Sequence, residues 1–450
     1  MKLFKYMLAG AVAAWGFAPS AYAFHSGGVG ECEGCHTMHN SFENKVVTRN
    51  DGTPVPMAQF VTGPYLLKGT DQSSACLNCH QAPDTVAGGT SGTGNGYHVS
   101  TATVSWTSPT VDVPPVELTP GGDFAWLKMT RTGAIRGAPI TWAGERQGHN
   151  IVAADFGYFK DSLQAVAPGG TYPAASLACS SCHDPHGRYR RFVDGTVATT
   201  GLPILYSGSY QTSKLPIAAV GAVGVYRLLG GPGYLPKSLV GGTAFTAPSP
   251  DAVAPGSYNS PNLTIAGVAD RVAYGQGMSE WCSNCHTKMH NDIVPATSKL
   301  VHPAGNGAKL TAAVTANYIA YVSSGIAGSP PMSGYSALAP FEVGTGDYVA
   351  LKAFQAAPAA PSATANVACI SCHRAHASAF ESSTRFYLGN EFMTVGTGLD
   401  AVGSYDTITT ENKINTSYSV LAQTNAYNGR APTLFGTYAR NYCNKCHAKD

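Results

Sequence analysis

Cys179-Ser180-Ser181-Cys182-His183-Asp184-Pro185-His186 is the stretch on which the reading of this chain turns. Two cysteines with two residues between them, followed at once by histidine, form the attachment signature of c-type haem. Each thiol adds across one haem vinyl group to make a thioether, and two intervening residues let one short turn span both vinyls. The next residue then falls beneath the iron, where a neutral imidazole nitrogen is a preferred ligand. The pattern recurs at Cys32/Cys35/His36, Cys76/Cys79/His80, Cys282/Cys285/His286, Cys369/Cys372/His373 and Cys443/Cys446/His447, and the six motifs consume all 12 cysteines. Structural zinc would combine cysteine pairs two by two and needs no histidine after every second cysteine. A disulfide scaffold leaves the six adjacent histidines without a purpose. The arithmetic points to six covalently attached haem c groups.

The chain around the motifs is consistent with export. Residues 1–23 read as a secretory signal, with Lys2 and Lys5 as the positive region, Met7 to Phe17 as the apolar core and Ala21-Tyr22-Ala23 as a small-x-small cleavage site. That apolar run is short for a membrane span, and no later segment approaches one. Residues 24–450 read as a single continuous hexahaem unit, because the motifs are spread along the chain with no long charged or low-complexity linker between them. Charged residues make up only 12%, while there are 51 Gly and 29 Pro, and stretches such as 82–119, 201–261 and 356–365 carry neither a helical nor an alternating period. The expected fold is an irregular multihaem cytochrome c, mostly loops and turns, with short helices at the haem motifs and little strand. Ordering such a backbone costs about 1–2 kcal/mol per residue. A core built around six haems, each a large apolar plate tied to the chain, gives those loops something to pack on.

Charge excludes some partners. The chain has 28 basic and 26 acidic side chains, and setting aside Lys2 and Lys5 makes the two signs equal. With two propionates on each haem the holoprotein would carry about −6 when oxidised and about −12 when reduced. There is no basic stripe for nucleic acid and no polybasic run for anionic lipid. Arg188, Arg190 and Arg191 are candidate propionate partners, with ordinary solvated charge as the equal alternative. Lys445, inside the last motif, reads as an exposed charge.

Six of the 14 histidines lie in the motifs, leaving His25, His39, His98, His149, His186, His290, His302 and His376. Six irons with two imidazoles each need twelve, so these eight supply six distal ligands with two to spare. Methionine is the rival axial ligand, but Met38, Met57, Met129, Met278, Met289, Met332 and Met393 show no pattern and read as gap fillers. His39, His186 and His376 follow a motif histidine by three residues and His290 by four, on the same face of a helical turn. None of these can reach round the porphyrin to the far side of the same iron. Where they ligate, they must serve a neighbouring haem, so one turn holds two haems nearly in contact. His98, His149 and His302 are loop candidates.

Further stretches carry a family resemblance. The segment Phe24-His-Ser-Gly-Gly-Val-Gly-Glu-Cys-Glu-Gly-Cys-His-Thr-Met-His39 resembles the mature start of the OmcS-like hexahaem outer-surface c-type cytochromes, an extracellular cytochrome filament family of metal-reducing bacteria. Cys179-Ser-Ser-Cys-His-Asp-Pro-His-Gly187, Arg271-Val-Ala-Tyr-Gly-Gln-Gly-Met-Ser-Glu-Trp-Cys282 and Cys443-Asn-Lys-Cys-His-Ala-Lys-Asp450 are similar to the same family. The resemblance implies bis-histidine haems stacked in a continuous chain, self-association into a filament, and electron delivery outside the cell to acceptors such as metal oxides or electrodes. It also implies that a histidine of one subunit completes a haem of the next, and His39 is the matching position.

The function expected is electron transfer by an exported protein at the outer cell surface or beyond, with redox partners in the periplasm or on that surface. Two imidazoles per iron leave no site for substrate, so no catalytic residue is assigned. A multihaem reductase would need one iron with an open position, and no motif here replaces its histidine with lysine. The residues leave two alternatives standing, such a reductase and a monomeric periplasmic shuttle with the same haems.

Overall fold

The structure is a computed structural model and describes residues 32–37, 41–42, 45–46, 66–81, 98–101, 115, 119–135, 138–185, 190–192, 197–198, 222–224, 229–236, 238–239, 242–253, 272–289, 302–321, 335–388, 392–394, 414–415, 424–430, 435 and 439–447. The proposed secretory signal lies outside them. Turns and irregular segments predominate, as the Gly- and Pro-rich composition leads one to expect.

Every motif sits at a short helical turn. Helix α1 is Cys32–Cys35, α2 is Gln72–His80, α3 is Cys179–Cys182, α4 is Met278–Cys282, and the sixth motif forms a 3₁₀ turn over Tyr442–Lys445. Among the described residues two further helices carry no motif, α5 over Ala312–Ala320 and α6 over Tyr348–Ala356, and α7 is the fifth motif's turn, Cys369–Cys372. The longer helices have conventional starts. Asp71 caps α2 by accepting from Ser74 N at 2.7 Å, Thr311 caps α5 from Val314 N at 3.2 Å, and Asp347 caps α6 from Ala350 N at 2.8 Å. A turn of four residues cannot sustain itself, since helix nucleation is unfavourable. Serine hydroxyls close α3 and α7 from within, with Ser181 Oγ accepting from Ala178 N at 2.8 Å and Ser371 Oγ from Ala368 N at 3.1 Å.

Strands are few and antiparallel. Arg131–Ile135 pairs with Ala138–Trp142 and with Ile414–Asn415, and Asp251–Val253 pairs with Ala273–Gln276 across a register shift. Arg190–Phe192 lies between Val197–Ala198 and Ala222–Gly224, and Ser41–Phe42 pairs with Lys45–Val46.

Buried side chains gather around the motif cysteines. The largest group, which includes Phe124, Trp126, Phe380, Tyr427 and Tyr442, has Cys179 packed against it. A second, built on Val272, Tyr274 and Ile370, receives Cys182 and Cys282, and a third, built on Tyr318, Tyr335 and Phe341, receives Cys446. Met129, Met278 and Met393 are buried in the first two groups, as gap filling requires.

One carboxylate is enclosed with the fourth motif. Glu342 is 1% exposed, and its Oε1 accepts from Met278 N at 2.8 Å at the start of α4. Burial pushes its carboxyl from 4.5 up to about 7 against the pull of these hydrogen bonds. The folded chain therefore keeps a proton that the unfolded chain releases between those two values, so stability falls as pH rises through that window and is level above it. The gap amounts to about 3 kcal/mol. Glu342→Gln is expected to remove that slope when urea midpoints of the holoprotein are compared between about pH 4.5 and about pH 7. An equal slope in the variant would assign the loss to another group.

Candidate haem-iron centres

All six motif histidines are among the described residues, and three of them face a second histidine ring. His183 faces His376 with ring centroids 6.4 Å apart, His286 faces His149 at 6.1 Å, and His447 faces His302 at 5.9 Å. Metal–imidazole bonds of about 2.0–2.1 Å, one on each side of a single ion, put two ring centroids about 6 Å apart. The three pairs meet that requirement.

Backbone carbonyls fix how the rings are turned. His286 Nδ1 lies 2.8 Å from Pro168 O, His149 Nδ1 2.7 Å from Ala375 O, His302 Nδ1 2.8 Å from Pro303 O and His373 Nδ1 2.7 Å from Ser382 O. A carbonyl only accepts, so each Nδ1 carries the proton and donates it, leaving the Nε2 lone pair for a metal. Burial, aided by the His286 charge, lowers the His149 pKa and favours the neutral form that coordination requires.

The segment 373–376 gathers three of these histidines. His373 belongs to the fifth motif, His376 faces the third motif's His183, and Ala375 O orients His149, which faces the fourth motif's His286. His149 N also donates to His376 O at 2.9 Å. Small residues permit the crowding. A Cβ on Gly121 would lie 2.7 Å from His376 Nδ1, and one on Gly148 would lie 2.3 Å from His376 O. Phe124 stacks on His376 with ring centroids 4.6 Å apart.

Of the remaining distal candidates, His98 is half-buried beside the second motif, where Val99 N donates to His80 O at 2.9 Å. His25, His39, His186 and His290 lie outside the described residues. So do Arg188 and the side chains of Arg190 and Arg191. The buried cations are others. Arg374, Arg385 and Arg430 are 5%, 2% and 6% exposed. Arg374 Nη1 donates to Pro120 O at 3.0 Å, and Arg385 Nε donates to Ile370 O at 2.6 Å and to His373 O at 3.1 Å. Among the described residues no carboxylate pairs with Arg374 or Arg385. A buried cation needs a counter-charge, and a haem propionate would supply one in the planar geometry a guanidinium prefers. Lys445 corrects the sequence reading. It is 0% exposed, its Nζ donates to Tyr318 O at 3.1 Å and sits 3.9 Å over the Tyr318 ring, and burial lowers it to about 8.

The thiols succeed one another in motif order. Cys76 lies near both Cys35 and Cys179, its Sγ donating to Gln72 O at 3.2 Å, and Cys182 lies near Cys285. Cys282 lies near Cys369, and Cys372 lies near Cys443 and Cys446. Burial pushes the Cys285 and Cys446 thiols up to about 11 and Cys372 to about 12. In the second motif it is Cys76 that makes both of these contacts with neighbouring motifs. Cys79, the second cysteine of that motif, is half-buried in the last turn of α2, directly before His80. It follows Cys76 by three positions, which on a helix places the two thiols along one face, as attachment to a single haem would require. Cys443 differs from the other described motif cysteines in being exposed.

Comparison with known proteins decides the family. The chain is 54% identical to C-type cytochrome OmcS of Geobacter sulfurreducens over 440 residues, which cover 96% of each chain. The chain belongs to the OmcS family of c-type cytochromes. Two solved structures from the same organism, an outer membrane cytochrome S filament and the OmcS nanowires determined by cryo-EM, share the fold. Each matches with a TM-score of 0.76 and 52% identity, covering 95% of this chain and 100% of the other. No protein-family model matches. No helix among the described residues is long and apolar enough to cross a membrane. Sequence reasoning did not find Ala375, Pro168 or Ser382 as orienting groups, because a carbonyl acceptor leaves no trace in residue type. Lys445 was misread because a lysine between two motif cysteines looks like any surface charge.

Proposed function

We propose that residues 24–450 form one hexahaem unit that transfers electrons, following a leader of 23 residues. Its six haem c groups would be held by the twelve motif cysteines, with two imidazoles on each iron in a closely stacked series. The observation that carries this reading is the set of three facing ring pairs, His183 with His376, His286 with His149 and His447 with His302. Each motif histidine in them would be the proximal ligand and its partner the distal one. His36, His80 and His373 would take their distal ligands from His25, His39, His98, His186 and His290.

Two imidazoles leave no open position on an iron, so the chain's work is to hold the haems and tune them rather than to turn over a substrate. Haem supplies the one-electron chemistry. The protein orients the rings through the Nδ1 carbonyl contacts and sets buried guanidiniums where propionates would need them. Arg374 and Arg385 are the propionate partners we favour. The turn 373–376, with one ring for the fifth haem, one for the third and a carbonyl orienting a ligand of the fourth, would bring three irons together through a few residues.

The OmcS relatives form filaments, and we carry that assembly to this chain. A second copy would be the partner, with His39 of one copy completing a haem of the next. The filament would lie outside the cell and deliver electrons to external acceptors such as metal oxides or electrodes.

Two measurements test the reading. Carbon monoxide added to the reduced holoprotein is expected to leave the visible spectrum unchanged, since no iron has a free position. A bound fraction near one haem in six would favour a reductase. His39→Ala is expected to abolish filaments under negative-stain microscopy while intact mass still shows six haems, and normal filaments from that variant would rule out the bridging role.

A further inference from the structure

Helices α2 and α4 each carry a serine three residues before their first motif cysteine, Ser73 before Cys76 and Ser279 before Cys282. Both are 0% exposed. Ser73 Oγ accepts from Cys179 N at 2.9 Å across 106 residues of chain, and Ser279 Oγ accepts from Cys369 N at 3.0 Å across 90. In each case the donor is the first cysteine of the next motif. In each case the first cysteines of the two motifs are also neighbours, Cys76 of Cys179 and Cys282 of Cys369.

The receiving turns are built alike, α3 closed by Ser181 and α7 by Ser371. An N–H in the first turn of a helix has no partner within that helix. The serine from the preceding motif satisfies it, so the bond has a definite direction and length. Ser74, next to Ser73, is equally buried, but its hydroxyl donates to Asp71 and accepts from Asp155 N and so makes no bond to another motif. The donor helices share little else, Gln72-Ser-Ser-Ala-Cys76 against Met278-Ser-Glu-Trp-Cys282. One device thus recurs on otherwise different sequence.

We infer that Ser73 and Ser279 are positioning residues that fix the spacing of the second haem to the third and of the fourth to the fifth, and so set the electronic coupling across those two junctions. An electron passing between the haems at each junction would oxidise one iron and reduce the other, so spacing and orientation are what a protein latch can control. The inference rests on the electron-transfer reading above. Failure of that reading would appear in the unmodified protein as missing haems or carbon monoxide binding, whereas failure of the latch leaves six low-spin haems in place.

The test uses holoprotein carrying Ser73→Ala, Ser279→Ala, both together, or Ser74→Ala as the control for a lost buried hydroxyl. Intact mass counts the haems, and circular dichroism in the Soret band reads the couplet produced by neighbouring haems. Each latch variant is expected to keep six haems and a low-spin spectrum while losing part of the couplet. The double variant should lose both contributions, and Ser74→Ala should retain the full signal. An unchanged couplet in Ser73→Ala and Ser279→Ala overturns the inference. So does an equal loss in Ser74→Ala, or loss of a covalent haem from either latch variant.

Discussion

His183 and His376 are far apart in the chain, yet their rings face each other at a separation that suits a metal ion between them. The same is true of His286 with His149 and of His447 with His302. Much of the surrounding structure follows from that requirement. Two rings can share one iron only if each presents a neutral Nε2, and Nδ1–H bonds to backbone carbonyls hold His286, His149 and His302 in that form. A backbone carbonyl is available only where the chain is not already in regular structure. An irregular, Gly- and Pro-rich backbone suits this protein for that reason: it exposes carbonyls such as those of Pro168, Ala375 and Ser382 at the places where rings must be oriented.

Electrostatics follows the same logic. Among the described residues, a chain with few charged side chains buries Arg374, Arg385, Arg430 and Lys445. Such groups are costly in apolar surroundings unless counter-charges or strong acceptors reach them. Arg374 and Arg385 use backbone carbonyls for part of their donor capacity, and Lys445 uses Tyr318 both as acceptor and as ring. Glu342 is the opposite case, a carboxyl whose burial favours its neutral form.

The sequence revealed the attachment points and the general fold because both depend on residue type at short spacing. Cys-x-x-Cys-His is local chemistry, and each motif took the short helical turn expected of it. The idea that a histidine three residues past a motif would face a different motif's histidine was also legible, since helical geometry forbids the alternative, and His376 lies opposite His183. Which loop histidine faces which motif was not legible, because it depends on contacts across more than a hundred residues. Lys445 looked exposed because the sequence does not show the Tyr318 and Tyr321 rings that enclose it. The serine hydroxyls that join successive motifs escaped notice for the same reason. A serine is common, and only its partner distinguishes it.

The most direct measurement is a cryo-EM map of the holoprotein at a resolution that places iron. The account predicts one iron midway between the rings of His183 and His376, one between His286 and His149, and one between His447 and His302. A map in which the rings of any of these pairs bind different irons, or bind none, would contradict it.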